Sequence, residues 1–302
     1  MKQDLDRYMQ ESNVDAVLVT GAGQHNPAMV YMTGGGHITN ADLIKKRGTP
    51  PILFHASMER DEAAKSGLKT VGYDTFDMAA LLKEAQGSRP KATALRYTAM
   101  LKSAGITGGR VALYGQVDLG NAYAVFSELS KLMPELELLG LVPDRVFLPA
   151  MMTKDNTEIA RMRRMGQITT SVVGRVADFL TGHKVSKETL VKSDGSPLTI
   201  GEVKGKIDLW LAELGAANPE GTIFAIGRDA GVPHSTGNPA DHLTLGKTIV
   251  FDIFPCEAGG GYYYDFTRTW CLGYAPDAEM KLYEEVHSVY ETLLKELRLN
   301  AP

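Results

Sequence analysis

The sequence has 302 residues, of which 44% are hydrophobic and 23% are charged, and its formal net charge is −4. This composition is typical of a globular protein, and the length favours two domains. The slight acidity argues against a nucleic-acid partner, which requires a clustered excess of Lys and Arg. The polar start MKQDLDRYMQ lacks an apolar signal core, and no later run approaches the roughly 20 apolar residues of a membrane span. We therefore expect a cytoplasmic protein with no nucleic-acid or membrane partner.

The first half of the chain alternates strand-like and helix-like segments. Runs rich in β-branched and aromatic residues predict strands at 14–20, 29–32, 51–54, 68–73 and 110–115. The segments 58–67 and 78–86 favour helices. Such alternation is typical of an α/β layer structure. Two prolines interrupt the pattern between residues 141 and 153, so we place the domains at 1–150 and 151–302.

The second half begins with a predicted long helix, from Asp155 to Leu180. A second helix is announced by Thr199 and Glu202, whose spacing is that of a capping box, and Gly215 is placed to end it. A strand, a polar loop and a further strand follow. A final helix is predicted to begin with Asp277 as its cap, and its apolar positions have helical spacing: Met280, Tyr283, Val286, Tyr290, Leu293 and Leu297.

Two aspartates stand out in the stretch TIVFDIFPCEAGGGYYYDFTRT, residues 248–269. Its two apolar and aromatic runs predict a β-hairpin with a turn-rich tip. If the turn is centred on Ala258-Gly259, Asp252 and Asp265 lie directly opposite each other, with β-carbons about 5 Å apart on one face of the sheet. Two carboxylates there repel each other and lose hydration. The arrangement therefore requires protonation of one, surrounding basic groups, or a metal cation.

Two interpretations of this pair remain open from the residues alone. All-oxygen ligation suits hard or borderline divalent ions, and two carboxylates can hold a pair of such ions for hydrolysis. Alternatively, Asp265 forms an ion pair with nearby Arg268, and Asp252 caps a turn.

The surrounding residues resemble a family signature. Asp252, Gly261-Tyr262, Asp265 and the following Thr267–Thr269 are similar to the pattern of the pita-bread metallopeptidases, which include methionine aminopeptidase, prolidase, Xaa-Pro aminopeptidase and creatinase. Pro233-His234-Ser235 resembles the histidine segment of that family. The loop between the aspartates is two residues longer than the usual pattern. An even insertion preserves the side-chain parity of a hairpin, so both carboxylates can still face one side.

Two further segments extend the resemblance. Residues 26–34 resemble the N-terminal domain of prolidase-like and creatinase-like proteins, which commonly contributes to dimer contacts. Residues 154–164 resemble the first helix of the pita-bread domain. The fold implied is an α/β N-terminal creatinase-like domain followed by an α+β pita-bread domain of the methionine-aminopeptidase type. Because nothing matching the second half of that domain follows Pro302, we expect the second domain to be incomplete.

The resemblance also implies a site. Asp252 and Asp265 correspond to the first two of five metal ligands, and His234 to the active-site histidine outside the metal shell. The remaining ligands, one histidine and two glutamates, would lie in the second half of the domain. A complete site would hold two divalent ions (manganese, cobalt or zinc), and a chain with only two carboxylates should bind metal weakly.

The function implied is that of a metal-dependent exopeptidase of the Xaa-Pro aminopeptidase or dipeptidase type, a cytoplasmic homodimer acting on short peptides with proline at the second position. One alternative is a catalytically inactive binding or scaffold protein with the same fold. Another is a creatinase-like hydrolase that uses no metal. The two retained aspartates favour the metallopeptidase, because a pure binder has no physical reason to keep opposed carboxylates.

Overall fold

The computed structural model describes residues 4–301. The chain divides into two compact units. The first contains the residues up to Arg161 together with Ala258–Tyr262, and the second contains Met162–Glu257 together with the residues from Tyr263 onward. The domain boundary near residue 150 stays a prediction.

The first unit is built on a mixed sheet. Its strands are β1 (Ala16–Gly21), β2 (Ala41–Lys46), β3 (Ile52–His55), β4 (Lys69–Gly72), β5 (Gly109–Gln116) and β6 (Leu136–Leu139). Among the described residues these six strands form one sheet in the order β4-β3-β2-β1-β5-β6. The helices are α1 (Asp4–Glu11), α2 (Pro27–Thr33), α3 (Arg60–Ala64), α4 (Met78–Glu84), α5 (Arg89–Ser103), α6 (Leu119–Leu132) and α7 (Phe147–Met152), with short 3₁₀ turns at Ser57–Glu59 and Tyr73–Thr75.

The central strand β1 is buried on both faces. Val17 and Val19 belong to one apolar cluster, which also contains Phe147. Ala16 and Leu18 belong to a second cluster on the opposite face of the sheet. A strand covered on both sides explains the continuous apolar run in the sequence, because neither face of it meets water.

The strand predicted at residues 29–32 is wrong. These residues lie in helix α2, where the Asn26 side chain accepts a hydrogen bond from the backbone N–H of Met29 at 3.4 Å. Pro27 occupies the first helical position, and Gly34 ends the helix with a φ of 82°. An Asn cap, a proline at the first position and a left-handed glycine together favour a helix over the β propensity of a short apolar run.

A buried polar cluster ties strand β2 to helix α5 in the first unit. The side chain of Asp42, only 1% exposed, accepts hydrogen bonds from the hydroxyls of Tyr73 and Tyr97, both at 2.7 Å. Thr20 adds a hydroxyl contact to Tyr97 at 3.1 Å. Burial and the charge of the Asp42 carboxylate raise the pKa of both tyrosines, so both remain protonated donors at neutral pH.

Replacing Asp42 with alanine should lower the free energy of unfolding of the first unit by about 3 kcal/mol, because two buried tyrosine hydroxyls lose a charged acceptor. Urea denaturation of the full chain measures this change. Asp74→Ala is the matched control, since Asp74 is exposed, and it should change stability by less than about 0.5 kcal/mol. Equal effects of the two substitutions would contradict a structural role for the cluster.

The second unit combines two helices with a small antiparallel sheet. Helix α8 (Asn156–Thr181) begins in the first unit and continues into the second. The elements that follow are β7 (Lys184–Ser186), β8 (Thr189–Val191), α9 (Ile200–Glu213), β9 (Ala216–Ala217), β10 (Thr222–Ile226), a 3₁₀ turn (Gly227–Gly231), β11 (Thr248–Ile253), β12 (Cys256–Glu257), β13 (Phe266–Cys271) and α10 (Asp277–Glu296).

The core of this unit lies between helices α8 and α9 and one face of the sheet. Strand β11 is central in the order β10-β11-β13. A row of aromatic rings crosses the three strands on the core face, with Phe251 5.2 Å from Phe224 and 5.3 Å from Trp270. The predicted capping box is present at the start of α9, where Thr199 and Glu202 bond reciprocally. This helix therefore starts where the sequence indicated.

Helix α10 is unlike the other long helices because it has no buried residue. Its apolar side chains are largely exposed, including Val286 at 61% and Leu293 at 58%. The predicted cap is wrong by one position, since Asp277 is the first helical residue and Pro276 occupies the cap without a side-chain hydrogen bond. The helix thus presents an unpartnered apolar stripe, Met280, Tyr283, Val286, Tyr290, Leu293 and Leu297, which we call the α10 stripe.

Within residues 4–301 no helix combines the length and the apolar character that crossing a bilayer requires.

Candidate metal centre

The alternation of strand β11 places Asp252 on the face of the sheet opposite the core. Ile249, Phe251 and Ile253 are buried, whereas the residues between them, Val250 and Asp252, are partly exposed. Because successive side chains of a strand point to opposite faces, Asp252 lies on the open face. The aromatic row on the core face therefore fixes the side on which the carboxylate stands.

The two aspartates are not directly opposite each other, and this prediction is wrong. In the antiparallel pairing of β11 with β13, Asp252 faces Thr267, and Ile253 faces Phe266. Asp265 immediately precedes β13, two residues before the partner of Asp252. Asp265 is thus displaced by two residues from the position opposite Asp252. Because the side chains of a strand alternate between its two faces, an even displacement favours the same face of the sheet for both carboxylates.

The register differs because the connection between the strands is not a tight hairpin tip. Twelve residues, 254–265, join β11 to β13. Part of this connection, β12, pairs with β9 instead of continuing the hairpin. The five residues Ala258–Tyr262 belong to the first compact unit. The turn residues therefore serve other contacts and do not set the register.

Tyr262, part of the family-like motif, has a structural contact in the first unit. Its hydroxyl donates a 2.5 Å hydrogen bond to the carboxylate of Glu158, which is 6% exposed. The guanidinium of Arg161 lies 5.0 Å from the centre of the Tyr262 ring. Together these contacts hold the segment of the connection to the start of helix α8.

Asp252 is oriented by its neighbour across the strands. The hydroxyl of Thr267 donates a 2.6 Å hydrogen bond to Oδ1 of Asp252. A hydroxyl that donates to one carboxylate oxygen restricts the orientation of the carboxylate. Thr267 lies within the family-like motif, but only the pairing register identifies it as the residue opposite Asp252.

The carboxyl groups of Asp265 and Asp252 are close enough to influence each other. The pKa of Asp265 is raised, first by burial, then by the negative charge of Asp252 and by a side-chain hydrogen bond with Asp252. The backbone N–H of Phe266 opposes this effect and lowers the pKa. Two carboxylates held together in this way form an electrostatically unfavourable pair, which a cation relieves.

The structural alternative for the two aspartates is wrong. Asp252 lies inside strand β11 and caps no turn. The guanidinium of Arg268 lies 4.0 Å from the centre of the Phe266 ring and donates a hydrogen bond to the carbonyl of Thr267 at 2.7 Å. Within residues 4–301 neither aspartate forms an ion pair with a basic side chain. The negative charge of the pair is therefore not balanced by the described part of the protein.

His234 lies in the loop that follows the 3₁₀ turn after β10. The residue is exposed, and its φ is 61°. The loop then returns along β10, where the carbonyl of Thr236 accepts a hydrogen bond from the N–H of Phe224 at 3.4 Å. In the described residues no hydrogen bond connects His234 to Asp252 or Asp265. Its role in the site stays a prediction.

The potential metal donors at this position are the carboxylates of Asp252 and Asp265. Two adjacent carboxylates on an open face supply oxygen ligands of the kind that hard and borderline ions prefer. Their chemistry therefore fits a metal. Within residues 4–301, however, no group of three or more His, Cys, Asp or Glu side chains is arranged to hold an ion. At the aspartate pair the described residues therefore bring together two carboxylate donors, and their role as metal ligands stays a prediction.

Both cysteines of the chain belong to the second unit. Cys256 is buried and Cys271 is half-buried, and no disulfide joins them in the described residues. Their thiols are not grouped with other ligands in a metal cluster of residues 4–301.

Comparison with known proteins identifies the family of the second half of the chain. The sequence model described as "Metallopeptidase family M24" matches residues 160–302, the segment that contains Asp252, Asp265 and His234. Residues 160–302 are similar to metallopeptidase family M24. The matched segment includes the whole candidate site, and the predicted resemblance to a metallopeptidase family is confirmed. Comparison with curated protein sequences gives no match.

Solved structures of similar fold extend over nearly the whole chain. A prolidase from Pyrococcus furiosus is 17% identical, with a TM-score of 0.62, and the match covers 93% of this chain and 68% of that one. An X-Pro aminopeptidase from Thermotoga maritima MSB8 is 18% identical, with a TM-score of 0.67 and coverage of 96% and 71%. A Xaa-Pro dipeptidase from Bacillus anthracis is 15% identical, with a TM-score of 0.65 and coverage of 94% and 67%.

These structures establish the fold. The predicted class, an α/β creatinase-like domain followed by an α+β pita-bread domain, is confirmed. The chain spans about two thirds of the length of each of the three structures.

Proposed function

We propose that this chain contributes to a metal-dependent exopeptidase that acts on short peptides, of the Xaa-Pro aminopeptidase or dipeptidase type. The observation that carries the proposal is the Asp252–Asp265 pair, two neighbouring carboxylates on an open sheet face without a basic partner in the described residues. The M24 match supports the reaction class. The similar structures include a prolidase and an X-Pro aminopeptidase, and this supports proline at the second position of the substrate.

Asp252 and Asp265 would hold the metal, and we propose two divalent ions (manganese, cobalt or zinc). When bound, such ions would acidify a water nucleophile and polarise the carbonyl of the scissile peptide bond. In this chain Thr267 would keep one oxygen of Asp252 engaged and leave the other for ligation. His234 would donate a hydrogen bond to the carbonyl oxygen as that atom gains negative charge.

Further metal ligands are required, and we propose that they come from a polypeptide segment that packs on the α10 stripe. Each apolar residue of this stripe has more than two fifths of its surface exposed to solvent. A helix with an uncovered apolar face is marginally stable in water. One histidine and two glutamates are the donors that the family resemblance implies. A segment bound there would cover the apolar stripe, and we propose that the same segment carries these donors.

The substrate class is tested by cleavage of Ala-Pro and Ala-Pro-Ala in the presence of Mn²⁺, with Ala-Ala and Pro-Ala as controls. Cleavage of Ala-Pro alone would identify a dipeptidase, and release of alanine from Ala-Pro-Ala would identify an aminopeptidase. Removal of metal with EDTA should stop either reaction, and Mn²⁺ should restore it. Cleavage that persists without metal would contradict the proposal and favour the creatinase-like alternative.

Replacing His234 with alanine should lower kcat for the proline peptide about 100-fold, because one hydrogen bond to the developing charge is lost. Metal affinity should stay unchanged, since His234 lies outside the proposed ligand set. His242→Ala is the matched control, because His242 is also an exposed loop histidine of the second unit. A full loss of metal binding in His234→Ala would instead make His234 a ligand and contradict the proposed role.

A non-catalytic binding protein is the second candidate. It is favoured by one observation, the lack of any metal-holding cluster of three or more side chains within residues 4–301. Cleavage of proline peptides distinguishes the peptidase from the binding protein. The peptidase gains activity when the missing donors are supplied, whereas the binding protein remains inactive and binds proline peptides without cleaving them.

The oligomeric state and the cellular location are further parts of the proposal. We propose a homodimer, which sedimentation equilibrium on the purified chain tests directly. The cytoplasmic location stays a prediction, and fractionation of the source cells would test it.

A further inference from the structure

A cavity in the second unit is separate from the aspartate pair. It has a volume of about 790 Å³ and lies between the end of helix α8, the β7–β8 hairpin and helix α9. This volume is within the range of small-molecule sites. Strand β11, which carries Asp252, contributes no lining residue. The cavity is therefore a distinct feature of the unit.

The lining combines an apolar base with basic groups. Leu198, which is 1% exposed, and Phe179 supply apolar surface, together with Val191 and Leu209. Lys184 and Lys206 line the same cavity and are exposed. An apolar base with lysines beside it suits a ligand that has an apolar body and an anionic group.

The acidic residue of the lining does not cancel this positive charge. The carboxylate of Glu202 accepts a 2.5 Å hydrogen bond from Nζ of Lys192, and it also accepts bonds from the backbone N–H and the hydroxyl of Thr199. Glu202 is therefore matched by Lys192 and by the start of helix α9. The charges of Lys184 and Lys206 remain in excess, because no ion pair in the described residues involves either side chain.

His183 adds a polar group with a fixed orientation. Its Nδ1–H donates a 2.6 Å hydrogen bond to the carbonyl of Phe179, and its ring packs edge-on against the Phe179 ring at 4.6 Å. The nitrogen left for a ligand is Nε2, which in the imidazolium form donates a hydrogen bond to an anion.

We propose that this cavity binds a small anionic ligand with an apolar body, a carboxylate or a phosphate ester, through Lys184, Lys206 and Nε2 of His183. The apolar body lies against Leu198 and Phe179. The site is independent of the proposed metal centre and does not require the peptidase function.

Gly205 offers a substitution that fills the cavity without disturbing the fold. It lines the cavity from helix α9, and a β-carbon added there would meet no heavy atom within 4 Å. Gly174 in helix α8 has the same open surroundings but does not line the cavity. Leucine at either position should favour the helix over glycine. Gly205→Leu and Gly174→Leu therefore form a matched pair, one that blocks the site and one that does not.

The experiment is an NMR titration of the full chain with phenyl phosphate, 3-phenylpropionate and phenethylamine, which share an aromatic body and differ in charge. At least one anion should shift the amide signals of Gly182 and Gly205 and the ring signals of His183, and the cation should not. Binding of one anion only would narrow the class to phosphates or to carboxylates. The double variant Lys184→Gln with Lys206→Gln should weaken the binding about tenfold, and more at low salt than at high salt.

Gly205→Leu should abolish these shifts, whereas Gly174→Leu should leave them unchanged. Thermal unfolding of the variants shows separately whether each is folded. The proposal is overturned if neither anion shifts the signals, if phenethylamine binds as well as the anions, or if a folded Gly205→Leu protein binds like the wild type. Because none of these readouts uses metal or peptide cleavage, failure here leaves the peptidase proposal untouched.

Discussion

Asparagine at Asp252 or at Asp265 should weaken binding of Mn²⁺ to the chain by at least 100-fold. Each substitution removes one of the two carboxylates that the described chain offers to a cation. Changes in groups that only support a metal ligand cost roughly 10–100-fold in affinity, and loss of a ligand should exceed that range. Equilibrium dialysis followed by elemental analysis measures the effect.

The control for this prediction is Asp241→Asn. Asp241 belongs to the same unit and lies in the loop before β11, where its carboxylate accepts a hydrogen bond from Asn238. This substitution should leave the affinity for Mn²⁺ unchanged. If Asp252→Asn and Asp241→Asn bind metal equally well, the metal is held elsewhere and the assignment of the aspartate pair fails.

Backbone amides of helix α10 should exchange with solvent on the order of 10³ times faster than those of helix α8 in the isolated chain. Helix α8 buries Val172 and Val176 completely, whereas helix α10 buries none of its residues. A helix of this length without a packed face is marginal in water, and protection against exchange follows the free energy of local opening. Hydrogen–deuterium exchange with mass spectrometry compares the two helices within one sample.

Equal protection of the two helices would show that the α10 stripe is already covered in the isolated chain. Dilution then identifies what covers it, because protection by a second copy falls with concentration and protection within one chain does not. Val286→Glu and Leu293→Glu should leave the stability of the isolated chain within about 0.5 kcal/mol of the wild type, since both side chains are exposed.

Several elements could be predicted from the sequence because the local signals agree with the tertiary structure. Thr199 and Glu202 announce helix α9, and the structure forms their capping box. The alternating burial of β11 follows its alternating side chains. The prediction for residues 29–32 failed because the apolar run was given more weight than the Asn26 cap and Pro27, which determine the local backbone.

The register of the aspartates could not be derived from the spacing of residues 252 and 265 alone. A spacing converts into a register only when the connection is a simple turn. Here residues 256–257 pair with β9, and residues 258–262 belong to the first unit. The face of the sheet on which both aspartates lie was nevertheless predictable, because a displacement by an even number of residues leaves a side chain on the same face of its strand. The family resemblance pointed to the aspartates, but the contact between Thr267 and Asp252 required the structure.

The exposed face of helix α10 shows a different limit of sequence patterns. Helical spacing of apolar residues indicates that a face is to be covered, but it does not say which segment covers it. In this chain the same spacing describes a face that is buried in α8 and a face that is open in α10.

The most direct test of the aspartate pair as a metal site is an anomalous difference map from crystals of the chain soaked in Mn²⁺. We expect a peak bonded to oxygen atoms of both Asp252 and Asp265, absent from crystals of the Asp252→Asn variant. A map in which the two carboxylates engage only water, protein donors or each other, while Mn²⁺ binds at other positions, would contradict the account.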